Sequence, residues 1–426
     1  MVGNFASHFQ TKLRESCSAY ETTCAVNKAE DLLHVLSDGA VTMSQMEILK
    51  QRASGVVICL DSAPRTWTSM EEINQQLCQR LTSLGITAVL VYARALPPEI
   101  DQRMRDAGAQ IEVVPYGQER YRFSKELRRI IKEYSISMAH VCFFDYFSFI
   151  PWIARLNGLQ HIVYEELNSG MMTATSWKLR LLQLRTLMMS WPMSRVIAVS
   201  NFVKQDLVTR GIAADRIDTR YLGADEERFK PDSTARAEWA SRYSIAPDEL
   251  MMSSVTLFRP FKSPETLVEA AAILKQRGVK TRLFMAGDGY MLNDLKALSA
   301  KLNVSDRIEW LGFCRDPRSL LQASDVFLLA SVGEAGGFVL SEAMGCGTPI
   351  VGSRSGVISE CVVEGKTGLL AIPRNAASFA DAIEKLARDE SLRKTMRVNS
   401  RERMLGGFTT DINVSNTLRI YASLYS

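Results

Sequence analysis

From residue 55 to the end, short runs of β-branched and aliphatic residues alternate with longer stretches whose apolar residues recur at helical spacing. The first set of runs reads VVICL, TAVLVYA, IEVVPY, MAHVCFF, HIVYEE and RVIAVS. A second set reads MMSSVTLF, RLFMAG, RIEWLG, DVFLLA, PIVG and GLLAI. Such alternation predicts parallel strands joined by crossover helices, and so open doubly wound sheets of the α/β class.

The rhythm breaks once, at YLGADEERFKPDSTARAEWASRYSIAPDEL, a charged stretch carrying Pro231 and Pro247. We read 226–249 as a linker between two Rossmann-like domains, 55–225 and 250–405, for which 426 residues leave room. Residues 1–54 read as a helical extension, and 406–426 as a last helix returning to the first domain. With 51 basic against 47 acidic residues, the net charge of +4 gives no footprint for nucleic acid. The eight cysteines and four histidines show no metal-ligand spacing, so the thiols read as buried groups in a reducing cytoplasm and no metal is expected. The start lacks the apolar core of a signal peptide, and no run of eighteen apolar residues occurs.

In doubly wound sheets ligands bind beyond the carboxyl ends of strands, and two facing sheets would leave a cleft between them. The stretch GEAGGFVLSEAMGCGTPIVGS, residues 333–353, has the order strand, glycine turn, helix start. Free backbone amides and the positive end of the helix dipole make that turn a receptor for an anion. Glu334 and Glu342 flank it. Carboxylates beside an anion suit hydroxyl groups on either side of it, and a nucleotide sugar has that layout: ribose, diphosphate, sugar. The plainer alternative is a solvated Glu342 on the helix and a Glu334 that merely offsets the dipole.

The run DVFLLASVGEAGGFVLSEAMGCGTPIVGSRSGVISECVVEGKTGLL resembles the donor-binding motif of glycosyltransferase family 4, the retaining GT-B enzymes. SNFVKQDLVTRGI, RYLGADEERFKP, FKSPETLVEAAAILKQRG, LFMAGDG and IEWLGFCRDPRSLLQASD follow the family in the same order. The resemblance covers 190–405 closely and 55–190 by pattern. It implies a GT-B fold of two Rossmann-like domains facing across a cleft. It further implies a retaining transfer from a nucleoside-diphosphate sugar, UDP- or GDP-linked, to an acceptor hydroxyl, with no cofactor required. Glu334 then meets the sugar, Glu342 the ribose and Lys262 the diphosphate; Gly336, Gly337, Phe338, Gly287 and Phe313 belong to the donor side. GDG at 287–289 taken alone reads as a strand-to-helix turn.

The chain departs from the family in places. The family arginine falls on Leu257, leaving Arg259 as the substitute guanidinium. Ser263 stands for a glycine, and the first loop, DSAPRTWTSMEE, lacks the family's glycine pair, although Ser69 with Glu72 forms a capping box. Strand ends place Asp145, Glu165, Glu166 and Asn168 on the acceptor side, with helix capping the alternative for Asp145, and His140 reads as a core residue. These departures keep open a transferase-derived partner subunit, and the fold also serves phosphorylases and epimerases. Finally, SWKLRLLQLRTLMMSWPM and RYRFSKELRRIIKEY combine apolar and cationic residues, so peripheral membrane contact stands beside an ordinary buried helix as a reading.

Overall fold

The computed structural model describes residues 41–426 apart from 62–63, 117–119, 143, 145–147 and 169–175. Of the expected extension over 1–54, residues 1–40, with Cys17 and Cys24, lie outside the described residues. Two wholly parallel sheets organise the remainder. The first comprises β1 (Gly55–Leu60), β2 (Thr87–Tyr92), β3 (Ala109–Val113), β4 (Met138–Cys142), β5 (His161–Glu166), β6 (Arg195–Ala198) and β7 (Ile217–Thr219), in the order β3-β2-β1-β4-β5-β6-β7. The second comprises β8 (Leu250–Val255), β9 (Thr281–Ala286), β10 (Ile308–Gly312), β11 (Val326–Leu329), β12 (Ile350–Ser353) and β13 (Gly368–Ala371), ordered β10-β9-β8-β11-β12-β13. In each sheet the order reverses beside the first strand, at β1/β4 and at β8/β11, and a doubly wound sheet leaves its crevice there. Central strands are buried from end to end, as in Gly55–Leu60, because helices cover both faces.

Two segments differ in detail from the sequence reading. Within 226–249 the chain forms a helix, Ala235–Tyr243, whose Trp239 stacks on Tyr243 at 5.3 Å and meets Phe284 edge-on at 5.4 Å. Its charged composition suggests a connector, but Ala235, Trp239 and Ile245 are buried against the second sheet. The capping box before Ser69–Ser83 is formed by Thr68 and Glu71, one residue earlier than expected, which leaves Ser69 and Glu72 for other partners. The helix Thr410–Ser423 places Val414, Leu418 and Tyr421 in the core of the first domain, where Leu49 of the helix Met43–Arg52 joins them.

Candidate functional site

At the β8/β11 switch point lies a cavity of about 280 Å³. Val255 at the end of β8, Thr256 and Leu257 just beyond it, Leu329 of β11, and Lys262, Glu334, Gly336, Gly337, Phe338 and Val339 line one side. Leu167, Asn168 and Leu222 of the first domain close the other. The glycine turn is required by both backbone and packing. Gly337 caps the helix Phe338–Gly345 in the left-handed region, at φ 59°, and a Cβ on Gly336 would run into Leu222 from the facing domain.

Lys262 and Glu334 meet at this turn: Nζ donates to Oε2 at 2.6 Å, with both side chains mostly buried. Lys262 ends a short turn, Pro260–Lys262, and Val332 N donates to the Phe261 carbonyl at 2.7 Å, fixing that turn against the β11 loop. Ser263 follows at φ 48°, a left-handed conformation that glycine adopts without strain. Leu257 lines the cavity. Arg259 does not; its side chain is exposed, so the expected replacement guanidinium stands outside the cavity wall, where buried Phe258 anchors the backbone between the two. Gly287 and Phe313 are also absent from the lining. A Cβ on Gly287 would strike the carbonyl of Thr256, so this glycine lets the lining strand pack closely, while Phe313 is 63% exposed on the loop after β10.

Glu342 is buried and is not the solvated helix residue of the plainer reading. Ser69, the first residue of its helix in the opposite domain, donates from Oγ to Glu342 Oε1 at 2.6 Å. One residue-turn away, Arg228 pairs with Glu72 and lies 3.5 Å from Asp316, and Trp67 Nε1 donates to Glu72 at 3.2 Å. Burial pushes the Glu342 carboxyl up to about 7, against the opposing hydrogen bond from Ser69. Since the folded state holds this proton more tightly than the unfolded chain, ionisation costs stability as pH rises from the ordinary 4.5 through about 7. Glu342→Gln, which keeps an acceptor for Ser69, should therefore melt with wild type near pH 4.5 and above it at pH 8. The ceiling on that gain is on the order of 3 kcal/mol. Melting curves across that range check it, and a gap independent of pH would refute the assignment.

On the acceptor side the structure separates the expected residues. Asn168 lines the cavity with Leu167, whereas Asp145 lies outside the described residues. Glu165 and Glu166 are buried behind the strand end and do not reach the cavity. Glu165 pairs with Arg220 and lies 3.3 Å from His140 Nε2, and Glu166 is 3.9 Å from Arg210 and accepts from Asn168 N at 3.1 Å. His140 is thus a member of a buried polar network, with Nδ1 2.7 Å from the Tyr421 hydroxyl. Donor atoms of His140, Cys142 and Glu165 fall within 4.8 Å of one another, a grouping their sequence spacing does not reveal. Arg220 balances the Glu165 carboxylate, and burial raises the Cys142 thiol well above its usual range, so the guanidinium supplies the countercharge within this network. Ser69, Leu222 and Arg228 were not foreseen; the shifted capping box, which frees the Ser69 hydroxyl, was the available signal.

Two family models cover most of the chain: Glycosyltransferase Family 4 matches residues 70–228, and Glycosyl transferases group 1 matches 235–403. The chain belongs to this glycosyltransferase family. An N-acetyl-alpha-D-glucosaminyl L-malate synthase of Bacillus anthracis is 34% identical over 48% of the chain and 53% of its own length. A D-inositol 3-phosphate glycosyltransferase of Pseudarthrobacter chlorophenolicus is 32% identical over 48% of the chain and 50% of its own length. The chain thus spans about half the length of these curated relatives. The crystal structure of Anabaena Alr3699/HepE in complex with UDP-glucose superposes with a TM-score of 0.73 at 18% identity, covering 87% of this chain and 99% of that one. That likeness is one of fold, and the fold of this family member is GT-B: two Rossmann-like domains across a cleft. Among the described residues no helix is long and apolar enough to cross a membrane.

Proposed function

We propose that the protein transfers a sugar from a nucleoside-diphosphate donor to an acceptor hydroxyl with retention. The observation that carries this reading is the 2.6 Å pair of Lys262 and Glu334 at a glycine turn and helix start, opening on the β8/β11 crevice. The turn offers the helix N-terminus to the diphosphate, and Lys262 neutralises charge that builds on it as the glycosidic bond breaks. Glu334 accepts from sugar hydroxyls once Lys262 turns to the phosphate. Glu342 accepts from the ribose, so the donor competes with the Ser69 hydroxyl for that carboxylate. The acceptor enters from the Asn168 and Leu167 side, on the face the diphosphate leaves, and the leaving phosphate takes its proton. Positioning and electrostatics therefore supply the rate, with no protein nucleophile. The UDP-glucose held by the Anabaena neighbour supports a UDP-sugar as the first donor to try.

Calorimetry or thermal shift with UDP-, GDP- and ADP-sugars, on wild type and Glu342→Ala, tests the reading. One donor should bind saturably, and the variant should lose about 10-fold or more in affinity, the value of a hydrogen bond to a charged group. Leu257 in the arginine position favours a second reading, a non-catalytic subunit that keeps the donor fold. Absence of binding by any nucleotide sugar at millimolar concentration would select that one.

A further inference from the structure

The helix Ser176–Ser190 carries an apolar stripe on its outer face. Trp177, Leu181, Leu184, Met188 and, just past the helix end, Trp191 succeed one another at steps of four, three, four and three, and each is 58–64% exposed. That spacing aligns them along one side for roughly 21 Å at about 1.5 Å per residue. The opposite side is fixed to the domain: Thr186, Met189 and Ser190 are buried, Gln183 Nε2 donates to the Thr209 carbonyl at 3.1 Å, and Arg216 donates to the Ser190 carbonyl at 3.0 Å. Trp191 stacks on Trp152 at 5.2 Å, with Arg155 holding the Pro192 carbonyl at 2.9 Å. The stripe is thus a preset surface, with an indole at each end.

From this surface we propose that the protein docks peripherally on an anionic bilayer, with the helix Ser176–Ser190 lying in the plane of the headgroups. Charge decides the occupant. Between Glu166 and Asp206 the sequence has no acidic residue, while Lys178, Arg180, Arg185, Arg195 and Lys204 fall within it. Arg195 is taken by Asp218 at 2.7 Å, but Arg180 is exposed beside the stripe. A second copy of the same face would oppose arginine to arginine, whereas an anionic leaflet is attracted to it, and tryptophans at both ends suit the headgroup boundary. The stripe is shorter than the ~30 Å hydrocarbon core, so the helix lies on the membrane and does not span it. The basic helix Arg120–Glu133 is a lesser contributor, because Arg129 is committed to Glu112, Glu126 and Glu133. Donor binding plays no part in this inference.

Cosedimentation of the full chain with vesicles of phosphatidylcholine alone, and with about a third phosphatidylglycerol, provides the test. Wild type should pellet with the anionic vesicles and stay in the supernatant with the neutral ones. Leu181→Ser/Leu184→Ser/Met188→Ser should lower the partition at least about tenfold, and Arg180→Gln about fivefold. Both variants change exposed side chains, so wild-type melting temperature and donor binding should persist as controls. Failure of wild type to pellet with anionic vesicles overturns the proposal, as does equal pelleting of the triple variant. Should ultracentrifugation instead show a wild-type dimer that the triple variant dissociates, without vesicle binding, the stripe is an interface between copies and the membrane assignment is wrong.

Discussion

Lys262→Ala should lower the turnover of a donor found in the nucleotide-sugar panel by about 10²–10³-fold, while the donor dissociation constant rises by less than about tenfold. The asymmetry follows from when the charge appears. On the proposed reading a bound diphosphate ester is met by the helix amides at Gly337 and Phe338, so the ground state would keep most of its contacts without the ammonium. As the glycosidic bond breaks, further negative charge accumulates on the leaving phosphate, and Lys262, held in a largely buried position, is the cation at the turn. Leu257 and the exposed Arg259 offer no second guanidinium in the cavity lining, so the loss should fall on this lysine alone. Initial rates of sugar release or transfer, paired with calorimetry on the same samples, separate the two effects. If turnover is unchanged, or if rate and affinity fall together, Lys262 does not stabilise the leaving group. Removing the lysine also leaves Glu334 without its 2.6 Å partner, so the melting temperature of the variant must be measured alongside.

The parts of this molecule that were legible in its sequence are those written locally. Strands such as Gly55–Leu60 and Val326–Leu329 announce themselves as apolar runs because both their faces are covered. The glycine turn around Gly337 is legible because only a few residue types tolerate its φ, and the motif around it carried Lys262 and Glu334 into one reading although they lie 72 residues apart. Pairings with no local signature were not legible. Ser69 and Glu342 are separated by 273 residues, and nothing near either one announces the other. The rule that ligands gather at strand ends located β5 correctly but could not say which way its last side chains face. Glu165 and Glu166 therefore read as cleft residues, although both turn into the domain toward arginines. Composition misled in the same way at Ala235–Tyr243, where a buried Trp239 is hidden among charged neighbours.

The inward turn of Glu165 makes Arg220→Met the substitution with the largest expected cost in stability, about 3–5 kcal/mol, or roughly 10 °C in melting temperature. Both partners are nearly inaccessible, with side chains 2% and 3% exposed, so water cannot replace the guanidinium. Arg220 also donates to the Thr417 hydroxyl at 2.7 Å, and His140 meets Tyr421 at 2.7 Å, which ties the last helix to the first sheet. Burial alone would raise the Glu165 carboxyl, but Arg220, with His140 and Cys142, outweighs it and holds the group below the ordinary carboxylate range. In wild type the pair's contribution is therefore complete above pH 4.5 and is lost only as pH falls below that value. Without Arg220 the burial effect remains, so the carboxyl pKa climbs above its unfolded value and the penalty appears as pH rises. The deficit of Arg220→Met should accordingly be widest at pH 8 and narrow towards pH 5, where Glu165 takes up a proton. Arg220→Met/Glu165→Gln removes the uncompensated charge and should recover most of the loss at pH 8. Melting curves of the three proteins at both pH values decide it. A double variant as unstable as the single one would mean that Arg220 acts through its packing and its hold on the last helix, not by neutralising Glu165.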